Sequence, residues 1–255
     1  MARKPSPPAA NVYIARTREL PVNLVFLVPF LFLYELALMG TQSPVENAAG
    51  AWIRTAALSL GRGGLMLLVL LVCLLVLLLL VGHMREAVRH RGIYGGMILE
   101  GLFYGAVLGS AASVLASTLP LDRIADLPVP QHRGTPAAPP GMLDLRHSLL
   151  ALGLAIGAGV FEELIFRGLL LGGLFAALRH LVGADRITSG VIAVLISAYL
   201  FSDYHHWGVS GEIYDPAVFS FRFHAGVVLG GIFLLRGLGI AAFAHGFYDV
   251  LVMVL

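Results

Sequence analysis

The sequence predicts an all-α protein, a polytopic transmembrane helix bundle of about seven spans. Three observations predict it. Of 255 residues, 58% are hydrophobic and 13% charged, against about 25% charged in an ordinary soluble domain. The mean hydropathy is +0.86. Seven apolar segments of roughly span length, about 20 residues each, follow one another along the chain. In hydrocarbon a segment must satisfy its own backbone polar groups, so each is expected to be a helix.

The chain opens with a basic, Pro-rich tail, residues 1–20, and continues as one membrane domain, 21–255. The first apolar segment, Pro21 to Met39, has no A-x-A-like cleavage site and is read as a retained span. The second, Gly64 to Val81, contains LMLLVLLVCLLVLLLL and is expected to face lipid. Its Cys73 is the single cysteine, so no intrachain disulfide forms. The third, Tyr94 to Ala116, carries GAVLGSAAS, a composition suited to close helix packing. A polar, Pro-rich connection follows from Ser117 to His147, and its prolines forbid a continuous helix. The last four segments run from Leu149 to Leu171, continuing toward Arg179, then Ile187 to Phe201, Ala217 to Leu235, and Leu238 to Leu255. The stretch 149–255 is the expected catalytic core.

Arginine and lysine placement orients the bundle. With a cytoplasmic N-terminus, the inside receives Arg3, Lys4, Arg16, Arg18, Arg85, Arg89, Arg91, Arg179, Arg186 and Arg236. The outside receives Arg54, Arg62, Arg123, Arg133, Arg146 and Arg222, and Arg167 lies within a span. The bias favours N-in and C-out. A net charge of +2 and the lack of an aromatic-interleaved basic stripe exclude nucleic acid as a partner. The P-loop, H-E-x-x-H and G-x-S-x-G signatures are absent.

Ionisable groups at mid-membrane cost about 2.5–3.5 kcal/mol each on insertion scales, so those present are candidates for function. Glu163 and Arg167 are four apart and share a helix face, which suits an ion pair. Glu162 lies about 100° around that helix, without this partner, and can serve as a general base. A second cluster, Phe201-Ser202-Asp203-Tyr204-His205-His206, sits where the fifth span ends. Adjacent histidines point to different sides, so at most one faces a shared site. In the last span His245 and Asp249 are four apart; the carboxylate can fix the imidazole tautomer, or both can address a common ligand. Three segments thus bring one Glu and two His. That set suits water activation with oxyanion stabilisation. It equally suits a zinc ion held by Glu162, His205 and His245 with one open position; spacing does not separate the two. Glu35, Glu100 and His224 read as structural groups, His224 as a packed, hydrogen-bonded imidazole.

These motifs resemble a known family, the CPBP intramembrane proteases (CAAX prenyl proteases and bacterial Abi proteins). Its three ordered motifs, E-E-x-x-x-R, F-x-x-x-H and H-x-x-x-N/D, are matched by Glu162-Glu163 with Arg167, Phe201 with His205, and His245 with Asp249. GGIFLLRGLGIAAFAH also resembles the family's approach to its last motif. The resemblance implies an intramembrane endopeptidase that cuts near the C-terminus of a membrane-associated protein. Glu162 with His205 would activate the water. His245 and Asp249 would bind the oxyanion or help hold the site, and Glu163 and Arg167 would buttress the first motif. Asp249 stands where many members have Asn, and an ionised Asp donates no hydrogen bond to an oxyanion. The family has been described both with and without a metal, so a divalent ion such as zinc stays open. The implied surroundings are the lipid bilayer of a bacterial inner membrane. With N-in, the site opens to the non-cytoplasmic side, which fits relatives, the myxosortases, that process sorting tags of exported proteins. A non-enzymatic immunity or scaffold protein that keeps the motifs as packing is the alternative, and a proton pathway ranks last.

Overall fold

The computed structural model describes residues 9–40, 59, 61, 92–119, 145–207 and 211–254. The expected second span with Cys73, and most of the connection between Ser117 and His147, lie outside the described residues, as does the side chain of Glu35.

Helices account for nearly all of what is described, and no strand occurs among the described residues. They are α1 (Ala9–Thr17), α2 (Leu20–Gly40), α3 (Gly92–Thr118), α4 (Leu145–Glu163), α5 (Arg186–Tyr204), α6 (Pro216–Arg236) and α7 (Leu238–Val254). The α4 rod continues past Glu163 as a π-helix over Leu164–Leu171, then as α-helix over Gly172–Ala177 and π-helix over Leu178–Val182. Gly92–Thr118, Ala155–Val182, Arg186–Tyr204 and Pro216–Arg236 are long and apolar enough to cross a membrane, and Leu20–Tyr34 and Leu238–Val252 are shorter apolar helices. These six apolar helices make a polytopic all-α bundle, in keeping with about seven spans. Ala9–Thr17, inside the basic tail, is itself helical.

Local chemistry sets several boundaries. Asp185 caps α5 by accepting from the amides of Ile187 and Thr188. Hydrogen bonds from Thr188, side chain and amide, hold its carboxyl below the usual carboxylate range. Asp215 caps α6 in the same way, with Pro216 in the first turn. Gly183 ends the α4 rod at φ 77°, and Gly237 turns α6 into α7 at φ 100°, conformations that favour glycine.

The α7 helix is the centre of the bundle. Ile240, Ala241, Ala242 and Ala244 are fully buried, as expected of a helix apolar on all sides. Small residues let its neighbours approach. Gly101, Gly105 and Gly109, on successive turns of α3, face Phe243, Ala244 with Phe247, and Tyr248; a Cβ on Gly105 would lie 2.6 Å from the Ala244 carbonyl oxygen. On the other side α4 crosses α7 glycine against glycine. A Cβ on Gly159 would lie 2.5 Å from the Gly246 nitrogen, and one on Gly246 would lie 2.7 Å from the Ile156 Cα. This crossing comes one turn before Glu162 and Glu163 and next to His245, and so it positions the site.

The two ends of the bundle differ. At one, Tyr13 of α1 donates to Glu100 of α3 at 2.9 Å, and Arg236 at the end of α6 pairs with the same carboxylate, Nη2 to Oε2 at 2.8 Å. Burial first, then the Glu100 contact, push the Tyr13 phenol up to about 12. Glu100 is therefore a structural anchor. At the opposite end, Ser202 of α5 donates to the Phe219 carbonyl of α6 at 2.7 Å, and Arg222 pairs with Glu212 at 2.8 Å.

Candidate active site

The site begins with a buried ion pair. Glu163 and Arg167 are both fully buried, and Glu163 Oε1 lies 2.6 Å from Arg167 Nη1. Charges removed from water must be paired, and Arg167 has further partners: Nη2 donates to the Gly226 carbonyl at 3.3 Å, and the guanidinium lies 4.4 Å from the centroid of the Phe201 ring. The pair sits at the junction where α4 changes to π-winding, a feature common at functional sites. Within the π stretch the Phe166 carbonyl accepts from Ser197 of α5 at 2.6 Å.

Glu163 also reaches across to α7. Its Oε1 lies 2.9 Å from His245 Nδ1. A carboxylate only accepts, so Nδ1 carries the proton and Nε2 is the nitrogen turned elsewhere. Two carboxylates flank Nε2, Glu162 Oε2 at 3.9 Å and Asp249 Oδ2 at 3.8 Å. Both distances are too long for a hydrogen bond. Glu163, rather than Asp249, thus orients the His245 imidazole.

The other oxygen of Glu162 is taken. Tyr204 donates its hydroxyl to Oε1 at 2.6 Å. The phenol was not among the residues singled out from the sequence, although it directly precedes His205. Its ring packs on Phe166 at a 4.8 Å centroid separation and on His205 at 4.3 Å.

His205 lies just past the end of α5. Its Nδ1 is 2.7 Å from the Phe201 carbonyl, which can only accept, so the neutral ring carries its proton there and presents a lone pair at Nε2. The Phe201 ring makes edge contacts with His205 at 5.1 Å and His245 at 5.6 Å, linking the two imidazoles. His206 points elsewhere: Nδ1 bonds to the Glu212 carbonyl at 3.1 Å, and the ring packs on Tyr214 and Phe219. His224 bonds to the Ser220 carbonyl of its own helix at 2.7 Å.

Glu162, Glu163, Arg167, His245 and Asp249 therefore form one connected cluster, joined through Tyr204 and Phe201 to His205. Glu162, His205 and His245, the set named for a metal, do not group as ligands. Among the described residues no three His, Cys, Asp or Glu side chains are arranged to hold a metal ion. Two of the four imidazole nitrogens involved are already engaged by Phe201 and Glu163.

The family model described as type II CAAX prenyl endopeptidase Rce1-like matches residues 145–251. Over that stretch the chain is similar to this family. The match runs from the start of α4 almost to the end of α7 and includes all six candidate residues. The match covers less than half of the 255-residue chain. The resemblance read from the three motifs holds over this segment. No significant match to a curated protein or to a solved structure was found.

The Rce1-like segment also contains Tyr204, which its three motifs do not name. The signal for it in the sequence was adjacency alone, a phenol one residue before the motif histidine at the end of an apolar helix.

Proposed function

We propose that this Rce1-like protein hydrolyses a peptide bond near the C-terminus of a membrane-associated protein, with Glu162 as the general base. The observation that carries the reading is the asymmetry of Glu162: Tyr204 holds Oε1 at 2.6 Å, while Oε2 faces His245 Nε2 across 3.9 Å. A reacting oxygen placed between them is within reach of both. The attacking water gives its proton to Oε2, and the lone pair of His205 Nε2 orients that water as it attacks the scissile carbonyl. His245, aligned by Glu163, presents Nε2 to the developing oxyanion, and its protonated form donates there. Asp249 borders the same nitrogen and contributes negative charge, which offsets the imidazolium. The proton held by Glu162 then passes to the leaving amine. Residues of this chain carry each step. Processing by solubilised protein is expected to survive chelation, and a chelator-dependent loss restored by zinc would transfer water activation to a metal.

The side on which the site opens narrows the substrate. His205 lies at the end of the bundle opposite α1 and Arg236. With the N-terminus inside, as the arginine bias favours, that end faces away from the cytoplasm. On this reading the protein resides in a bacterial inner membrane and trims an exported protein with a C-terminal tag, and a cytosolic prenyl protein does not reach the site. The test compares C-terminal fragments of membrane proteins in cells carrying wild type or His205→Ala at equal abundance. Fragments present only with wild type are expected, and identical patterns would overturn the protease reading.

Tyr204→Phe isolates the hydroxyl. A hydrogen bond to a charged group is worth about 1.5–3 kcal/mol, so kcat is expected to fall about 10- to 100-fold, with KM and accumulation unchanged. Steady-state kinetics on a cleaved reporter checks this.

A further inference from the structure

A second region, whose lining begins at Gly168 next to Arg167 and runs to the α1 end of the bundle, has the features of a ligand site. At the α1 end of the bundle a cleft of about 880 Å³ opens between α4, α5 and α6, within the size range of about 300–1,000 Å³ typical of ligand sites. Its walls are apolar, and glycines line it on three sides: Gly172 on the α4 rod, Gly190 on α5 and Gly231 on α6. A Cβ on Gly231 would meet nothing within 4 Å. The lining also includes two arginines, Arg18 from the α1–α2 joint and Arg186 from the first turn of α5. Arg18 donates to the Leu234 carbonyl. Arg186 is exposed and has no partner among the described residues. Its neighbour Asp185 is occupied in capping α5. Flanking residues Ile187 and Leu235 leave large apolar surfaces exposed, as expected beside lipid.

We propose that this cleft holds one molecule of anionic phospholipid, with an acyl chain against the glycines and the phosphate at Arg18 and Arg186. The charge chooses this occupant. Arginine is the side chain best suited to bind phosphate, and neither guanidinium is paired with a carboxylate among the described residues. A neutral lipid would leave both without an anion. The arginines also place this end on the cytoplasmic side, where anionic lipid attracts basic groups and basic pockets between spans take anionic head groups. The lipid would brace the rod that carries Glu162 and Glu163 against α5 and α6. The proposal does not depend on the protease reading.

The test measures thermal unfolding of the purified full-length protein in neutral detergent, titrated with phosphatidylglycerol, phosphatidylcholine, a neutral polyisoprenoid alcohol or inorganic phosphate. Wild type is expected to show a saturable rise in Tm with phosphatidylglycerol alone. Gly231→Leu fills the cleft from open space and is expected to abolish the rise while leaving the lipid-free Tm unchanged. Arg186→Gln is expected to weaken the apparent affinity about tenfold, the loss of one charge-assisted contact. Equal stabilisation by phosphatidylcholine, by the polyisoprenoid or by inorganic phosphate would overturn the assignment, as would a wild-type response from Arg186→Gln. That variant alters an exposed, unpartnered side chain, so it decides the matter even if Gly231→Leu fails to fold.

Discussion

Glu162→Gln is expected to lower kcat/KM by a factor of about 10²–10⁴, the range for loss of a general base, with the protein accumulating normally. The substitution keeps the shape of the side chain and leaves an amide oxygen to accept from Tyr204, as Oε1 does at 2.6 Å. What it removes is basicity at Oε2, the oxygen that faces His245. It also removes a charge from a side chain that is only 10% exposed, and an unneeded buried charge is a burden on folding. Stability should therefore hold or rise while activity falls. Glu162→Asp adds a second reading. It retains the carboxylate but draws it back by one methylene, and a displacement of about 1 Å can cost 10²-fold. Cleavage of a reporter, normalised to protein abundance, checks both. Activity of Glu162→Gln above a tenth of wild type would remove Glu162 from the role of base and move it to His205.

Much of the bundle was legible because the membrane leaves few options. A long apolar run must be a helix, and the Gly-rich stretch of α3 packs as its composition implied, with Gly101, Gly105 and Gly109 against α7. The four-residue spacings were legible too, since Glu163 and Arg167 meet on one face. The partners across helices were not. Spacing alone left open whether Asp249 fixes the His245 tautomer or both address a common ligand, and it gave no sign that Nδ1 faces Glu163. That contact depends on where α4 crosses α7, which is decided by the meeting of Gly159 and Gly246, and a single chain does not declare which of its many glycines meet. The π-winding after Glu163 was equally hidden, because the Phe166 carbonyl within it is answered by Ser197 from another helix. Tyr204 was missed for the same reason. Its role depends on a carboxylate 42 residues away in sequence.

The second large effect concerns stability, and it separates the pairing of charges from their chemistry. Glu163→Leu is expected to destabilise the protein by about 3–5 kcal/mol, enough to deplete a fold whose total stability is of order 5–15 kcal/mol. It leaves Arg167 fully buried, with the Gly226 carbonyl at 3.3 Å and the Phe201 ring as its remaining contacts. If the unpaired charge is the cause, removing it should restore folding. Glu163→Leu with Arg167→Leu is therefore expected to accumulate near wild-type levels, since apolar replacement of a whole buried pair is often neutral or stabilising. Activity should not return with it. His245 Nδ1 would have lost the carboxylate 2.9 Å away that sets its tautomer, and the imidazole would be free to present either nitrogen to the substrate. Abundance by immunoblot and cleavage per molecule read the two properties apart. A double variant as depleted as the single one would show that Glu163 stabilises through His245 and α7, and a fully active double variant would show that His245 needs no such guide.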